Sequence, residues 1–503
     1  MTLQEWTISE LQSMMTAGEL TARHLVELYL ERIDAKDRNG PRLNSVIETN
    51  PNALTIASSL DDERRHGKTR GPLHGVPILI KDNIDTHDQM QTTAGSLALE
   101  GHIAPRDAFI VKKLRSAGAV ILGKTNLSEW SNMRGKRSVS GWSSRGGLTR
   151  NPYALDRSAC GSSSGSGVAV AANLCTAAIG TETDGSLICP SQTNGIVGIK
   201  PTLGLWSRSG IIPVSHSQDT AGPMARTVAD AAILLGALAG VDERDPATGP
   251  CGERAFKNYA QFLDGNGLRG ARIGVARKMA GTDKRIIKIF ESCLDAMKNE
   301  GAVMVDPTDV PNFDKFNRTE MEVLYYEFKA DLNKYLAGAK ANVRTMEEVI
   351  KFNEENRDRV MPYFGQEHME IAQEKGSLLD KKYRNALLKN HRLTRKEGID
   401  ATMRKHKLDA TVVPSGGPAW TIDLINGDAN NWDMSSTSPA AVAGYPHITV
   451  PAGYIFGLPV GISFFARAWQ EPELIKLTYA FEQATKVRKP PEFLPTAAST
   501  PNV

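Results

Sequence analysis

Short apolar runs, each halted by a turn residue and separated by stretches with helical spacing, recur from one end of the chain to the other. No other feature restricts the fold as much, because this alternation calls for strands buried under helices. The run GVPILIKDN (75–83) reads as a buried strand that delivers Lys81 at its C-terminal end. Residues 107–118 carry an Asp start and a Gly stop around a helical pattern, and AVILG (119–123) follows as a strand. The rhythm returns in RIGVA (272–276), a helix through Ile286, Ile287, Phe290, Leu294 and Met297 closed by Gly301, and AVMV (302–305). DATVVP (409–414), HITVP (447–451) and PVGISFF (459–465) are further strands, and a last helix runs from Glu473 to about Thr485. Strands from both halves are expected to join one sheet, giving an α/β fold.

The chain opens helical: Thr7-Ile8-Ser9-Glu10 is a capping-box pattern, and Thr21 can cap a second helix whose Leu25, Leu28, Tyr29 and Ile33 form one stripe. Residues 315–407 are polar with helical spacing and read as a helical layer or insertion. The tail from about 490 is expected to fray. Length, 503 residues, would by itself allow two to four domains.

Sixty basic against 57 acidic residues leave a net charge of +3, which gives no electrostatic case for nucleic acid or a membrane as main partner. Residues 381–407 depart from this balance, with ten Lys/Arg against Glu397 and Asp400, and read as a solvated helix face. Five cysteines (Cys160, Cys175, Cys189, Cys251, Cys293) without a C-x-x-C pair indicate neither a disulfide framework nor a zinc knuckle, so each is expected to be small apolar filling. The N-terminus lacks a signal-peptide core, which points to the cytoplasm, with export behind a removed leader left open. No window is apolar enough to span a membrane.

CGSSSGSG (160–167) could be a flexible linker, but it leads into VAVAANLCTAAIG, a small-residue apolar segment suited to a buried helix. A P-loop would need a Gly-Lys-Ser/Thr ending, which is absent. Gly161 to Gly165 formally satisfies G-x-S-x-G with Ser163 as nucleophile. That mechanism needs a histidine, for which His216, His368, His391, His406 and His447 are the downstream candidates. The preceding RSAC is a poor strand for it.

A third reading joins Lys81, CGSSSGSG and GTETDGS (180–186), whose Ser186 lies 24 positions after Ser162. With GKTNLSEW (123–130), GIKPT (198–202), QDTAGPMARTVAD (218–230) and GLPVGISFFAR (457–467), this arrangement resembles the amidase signature family over most of the chain. The resemblance implies a single domain over 1–503, with a signature core at about 70–230 and one large mixed sheet covered by helices on both faces. It implies Ser186 as nucleophile, Ser162 as a bridging serine in a cis peptide, and Lys81 as base. It also implies backbone donors at Thr183, Asp184, Gly185 and Ser186, a place for Ser131 beside the substrate, and no cofactor or metal.

The chemistry is coherent. A serine hydroxyl attacks well only when a base removes its proton, and a lysine buried on an apolar strand can be neutral enough to do so.

The pattern departs from the family at Cys160 and Ser164, where glycine is usual, at Glu182 for aspartate, and at Asp184 for glycine. Leu187-Ile188 follow the nucleophile where Ile-Arg is frequent, and the missing guanidinium favours a neutral acyl portion over a free carboxylate. GSSSGSG, GTETDGS, SLICP and the 343–367 region resemble peptide amidases within the family, implying removal of the C-terminal carboxamide of a small peptide; a monomer is expected, with an oligomer left open. The rival readings are the amidase component of a tRNA-dependent amidotransferase, an aryl- or fatty-amide amidase, the Ser163 hydrolase, and a peptide-amide binding protein without catalysis.

Overall fold

The computed structural model describes residues 3–429 and 436–498. Its strands are Val46–Thr49 (β1), Pro77–Lys81 (β2), Val120–Thr125 (β3), Trp142–Ser143 (β4), Gly147–Leu148 (β5), Ala177–Glu182 (β6) and Val197–Lys200 (β7). Thr220–Ala225 (β8), Arg272–Val275 (β9), Val303–Val305 (β10), Ala410–Pro414 (β11), His447–Ile455 (β12) and Leu458–Phe465 (β13) follow. Eleven of them form one sheet in the order β1-β3-β2-β6-β8-β7-β12-β13-β11-β9-β10, while β4 and β5 pair separately. β2 is parallel to β3 and β6, and β9 is parallel to β10 and β11. The remaining pairs of the large sheet are antiparallel. Both halves therefore contribute to one mixed sheet, as the apolar runs predict.

The central strands are buried on both faces, so their sequences read as continuous apolar runs. Ile78, Ile80, Ile121 and Ile179 pack to one side with the helices Phe109–Ser116, Val228–Leu238, Lys284–Asn299 and Glu471–Thr485. Leu79, Val120, Leu122 and Ala178 pack to the other, against Ala22–Arg32, Ala53–Arg65 and Ser164–Ala171. Thr7 forms the expected capping box with Glu10, and Thr21 accepts from the backbone of His24. The helical layer is present: Asn317–Gly338 lays Leu324, Phe328, Leu332 and Leu336 over Trp130 and Met133, beside the C-terminal end of β3.

Two expectations fail. Cys160 and Cys189 form a disulfide, whereas Cys175, Cys251 and Cys293 are buried free thiols. The pair is 29 residues apart, and only the fold brings its two turns together. The tail is held through Ala498 instead of fraying: Phe493 donates to the Pro152 carbonyl, Leu155 to that of Leu494, and Ala498 to that of Phe456. Residues 499–503 of the expected frayed segment lie outside the described residues. Among the described residues no helix is long and apolar enough to cross a membrane.

Candidate active site

β2 ends on Lys81 next to β6, and the lysine is completely buried. Its Nζ donates to Ser162 Oγ at 2.7 Å and to Thr181 Oγ1 at 2.8 Å, and Asn83 Nδ2 steadies Thr181 Oγ1 from 3.0 Å. Burial lowers the Lys81 pKa from 10.5 to about 7, against the opposing pull of the Asp219 and Glu182 carboxylates. The amine can thus exchange a proton near neutral pH.

The serine-rich run is enclosed structure. Ser164–Ala171 is a helix with every residue buried, which disposes of the linker. Gly161-Ser162 is a cis peptide bond, and a Cβ on Gly161 would collide with Ser128 Oγ. Hydrogen bonds sort the serines by role. Ser163 Oγ donates to the Thr181 carbonyl (2.9 Å) and accepts from the Thr181 N–H (3.1 Å), Ser164 Oγ donates to the Cys160 carbonyl, and Ser166 Oγ donates to that of Ile179 (3.1 Å). Ser162 alone of the run meets the buried lysine. Among the described residues Ser163 has no histidine partner, so the G-x-S-x-G constellation is not assembled around it there.

Ser186 follows β6 by a short turn, is 8% exposed, and its Oγ has no hydrogen-bond partner among the described residues. Its carbonyl accepts from the Ser163 N–H at 3.3 Å, which fixes the two serine-bearing turns side by side. The backbone N–H groups of Thr183, Asp184, Gly185 and Ser186 find no acceptor among the described residues, leaving four consecutive donors on the turn. Gly185 makes the bend possible with φ 77°. Such a run of free donors is suited to a developing negative charge.

Two carboxylates hold this turn, and neither has a spacing signature that sequence reasoning can detect. Glu182, fully buried, accepts from the N–H of Leu187 (2.6 Å) and Ile188 (3.1 Å), satisfying the start of the short helix Ile188–Thr193. Its counter-charge is Lys200, whose pKa burial lowers to about 8. Asp219 accepts from Thr183 Oγ1 at 2.6 Å and from the N–H of Val214 and Ser215, both at 2.8 Å; burial raises its pKa to about 6. QDTAGPMARTVAD contains Asp219, but the sequence gives it no role.

The turn opens into a cleft of about 560 Å³ whose lining includes Ser131, Thr183, Asp219, Ile212, Val214 and Tyr335. Ser131 and Thr183 both line this cleft, and Ser131 is the middle of three consecutive left-handed residues, Trp130, Ser131 and Asn132, with φ 53°, 54° and 74°. The far wall comes from the helix Asn317–Gly338 through Asp331, Lys334, Tyr335 and Gly338. His216, Glu327 and Asp331 converge at this wall in metal-ligand range. Their atoms already serve one another and their neighbours: Asp331 accepts from His216, and Glu327 accepts from Ser215, Ser217 and Tyr383.

The family model described as Amidase matches residues 24–475. The crystal structure of native peptide amidase from Stenotrophomonas maltophilia superposes with a TM-score of 0.93 at 51% identity, covering 97% of this chain and 98% of that one. A peptide amidase in complex with the competitive inhibitor chymostatin gives 0.94 at 51% identity, covering 97% and 99%. A probable amidase of Arabidopsis thaliana is 42% identical, covering 98% of this chain and 92% of its own length. A glutamyl-tRNA(Gln) amidotransferase component from Halorhodospira halophila is 32% identical, covering 97% and 99%. On the family match over residues 24–475 and these relatives, the chain belongs to the amidase signature family and is an amide-hydrolysing enzyme.

Proposed function

We propose that this enzyme removes the C-terminal carboxamide of small peptides, with Ser186 as nucleophile, Ser162 as proton relay and Lys81 as base. The observation that carries the assignment is the buried Lys81 Nζ, 2.7 Å from Ser162 Oγ, with a pKa near 7. In its neutral form Lys81 takes the proton of Ser162, which in turn takes that of Ser186 as Ser186 Oγ attacks the carboxamide carbon. The oxyanion is received by the N–H groups from Thr183 to Ser186. The proton returns through Ser162 to the nitrogen, the C–N bond breaks, and ammonia leaves an acyl-Ser186. Water, activated along the same path, releases the peptide acid and restores Ser186.

The cleft supports a peptide acyl chain: its size is that of an ordinary ligand site, and Ile211–Val214 with Pro105 and Pro246 offer an apolar ledge. The neighbour of 51% identity being a peptide amidase supports the same substrate, whereas the amidotransferase relatives are more distant at 32%. Ammonia release is to be scored from peptide amides, glutamine, aryl amides and fatty amides. Peptide amides are expected to be turned over by the isolated chain. Turnover of glutamine alone, dependent on tRNA and a second protein, would replace this reading with the amidotransferase. Full loss in Ser163→Ala with survival of Ser186→Ala would overturn the residue assignment.

A further inference from the structure

The disulfide joins the two turns that carry the proposed relay. Cys160 stands two residues before Ser162 and Cys189 three after Ser186, with Cα atoms 6.0 Å apart, within the ordinary range for a bridge. Cys160 holds a left-handed backbone, φ 55°, where glycine would sit without strain, and its side chain is committed to the bridge. Without it, the turns are tied by weaker links: Ser163 N–H to the Ser186 carbonyl (3.3 Å), and Thr193 Oγ1 (3.1 Å) and Asn194 Nδ2 (3.0 Å) to the Ala159 carbonyl.

The bridge is also the cysteine chemistry that a reagent can reach. Cys189 is half-buried, whereas Cys175, Cys251 and Cys293 are at most 4% exposed and burial pushes their thiols up to between about 11 and about 12. Cys189 is the most exposed of the five cysteine residues, so a thiolate from solvent is expected to attack there before the other four.

We propose that the Cys160–Cys189 disulfide is a positioning element for the Ser162–Ser186 pair and a reversible modification site for dithiol reductants. It rests on the roles given to Ser162 and Ser186 above. In the opening step one thiolate of the dithiol attacks Cys189 Sγ, the S–S bond breaks, and Cys160 leaves as a thiolate that takes a proton. The second thiol of the reagent then attacks its own sulfur in the mixed disulfide and frees Cys189. The reagent ends as a cyclic disulfide, having supplied two electrons. Opening leaves the two serine-bearing segments held by packing and these hydrogen bonds without a covalent tie, and their misalignment slows chemistry more than binding.

The test uses the whole enzyme, oxidised or treated with dithiothreitol under native conditions, with thiols counted after denaturation. Three thiols are expected with the bridge closed and five with it open. With five, kcat for a peptide amide is expected to fall roughly ten- to a hundredfold while KM changes little, and oxidised dithiothreitol should restore it. Cys160→Gly and Cys189→Ala should each reproduce the low kcat and be indifferent to reductant. If reduction unfolds the protein, Cys160→Gly with an unchanged circular dichroism spectrum decides the matter. Unaltered kcat at five thiols, or in a folded Cys160→Gly, overturns the proposal, as does a fully active enzyme showing five thiols before any reduction. Ser186→Ala separates the two readings: if it is inert while the reduced enzyme is fully active, only the role of the bridge fails. If Ser186→Ala still turns over, the residue assignment fails.

Discussion

The protonation of Lys81 gives the relay a quantitative signature. Moving its pKa from 10.5 to about 7 corresponds to about 5 kcal/mol of disfavour for the ammonium form, the cost of burial net of the opposing pull of Asp219 and Glu182. A free lysine would be neutral in only about one molecule in 3,000 at pH 7, whereas Lys81 is neutral in about half. Because the neutral amine is the active form, kcat/KM for a peptide amide should rise about tenfold between pH 6 and pH 8 and then level off. The sign for stability is the same. The folded pKa lies below the unfolded one, so burial of Lys81 costs its full amount below about pH 7, and the cost fades as pH rises toward 10.5. Glu182→Gln tests the cause of the limb. A glutamine oxygen can keep the bonds from Leu187 and Ile188 while its amide group takes the place of the unpartnered Oε1. Loss of a carboxylate that favours the Lys81 ammonium should then move the acidic limb to lower pH and leave the plateau within a few fold. Stopped-flow or steady-state ammonia release from pH 5 to 9 reads both. A limb that moves to higher pH, or a profile flat from 6 to 9 in the parent enzyme, would refute the neutral-lysine argument.

Lys81→Ala and Ser186→Ala should each lower kcat by at least roughly 10²–10⁴-fold with the fold intact, checked by ammonia release and circular dichroism. Ser163→Ala should remain active but lose about 1–3 kcal/mol of stability in denaturant titration, since the Thr181 N–H and carbonyl lose their partner. Gly161→Ala should be poorly folded or inactive, because its Cβ meets Ser128 Oγ, whose oxygen also receives the Gly141 N–H. Ser131→Ala should raise KM more than it lowers kcat, as expected of a cleft residue outside the relay.

Much of this arrangement is legible in the order of the residues. The run that ends at Lys81 announces a strand because its apolar positions stop abruptly, and the Ser162 to Ser186 spacing acquires meaning from the family segments around it. What escapes is what tertiary proximity alone creates. Cys160, in the loop before the helix Ser164–Ala171, and Cys189, in the helix Ile188–Thr193, lie on either side of β6 in the chain and become neighbours only through the fold, so an odd cysteine count without local pairs points away from a bridge. Glu182 and Asp219 are single carboxylates whose importance comes from the N–H groups they face. The tail reads as polar and frayed because its partners, Pro152, Leu155 and Phe456, are far away in sequence.

The helix Asn317–Gly338 lines the cleft through Asp331, Lys334, Tyr335 and Gly338 and meets the donor turn at Glu320, which faces Asp184 and accepts from Gln218, whereas Lys81, Ser162 and Ser186 stand on β2, β6 and the segments beside them. On the roles proposed above, bond breaking and substrate choice would then fall largely to different parts of the molecule. Residues on that wall, such as Asp331, Lys334 and Tyr335, can be exchanged to redirect which acyl chains enter without redesigning the step that cleaves them. The same chemistry becomes a cassette, and the helical layer its interchangeable address.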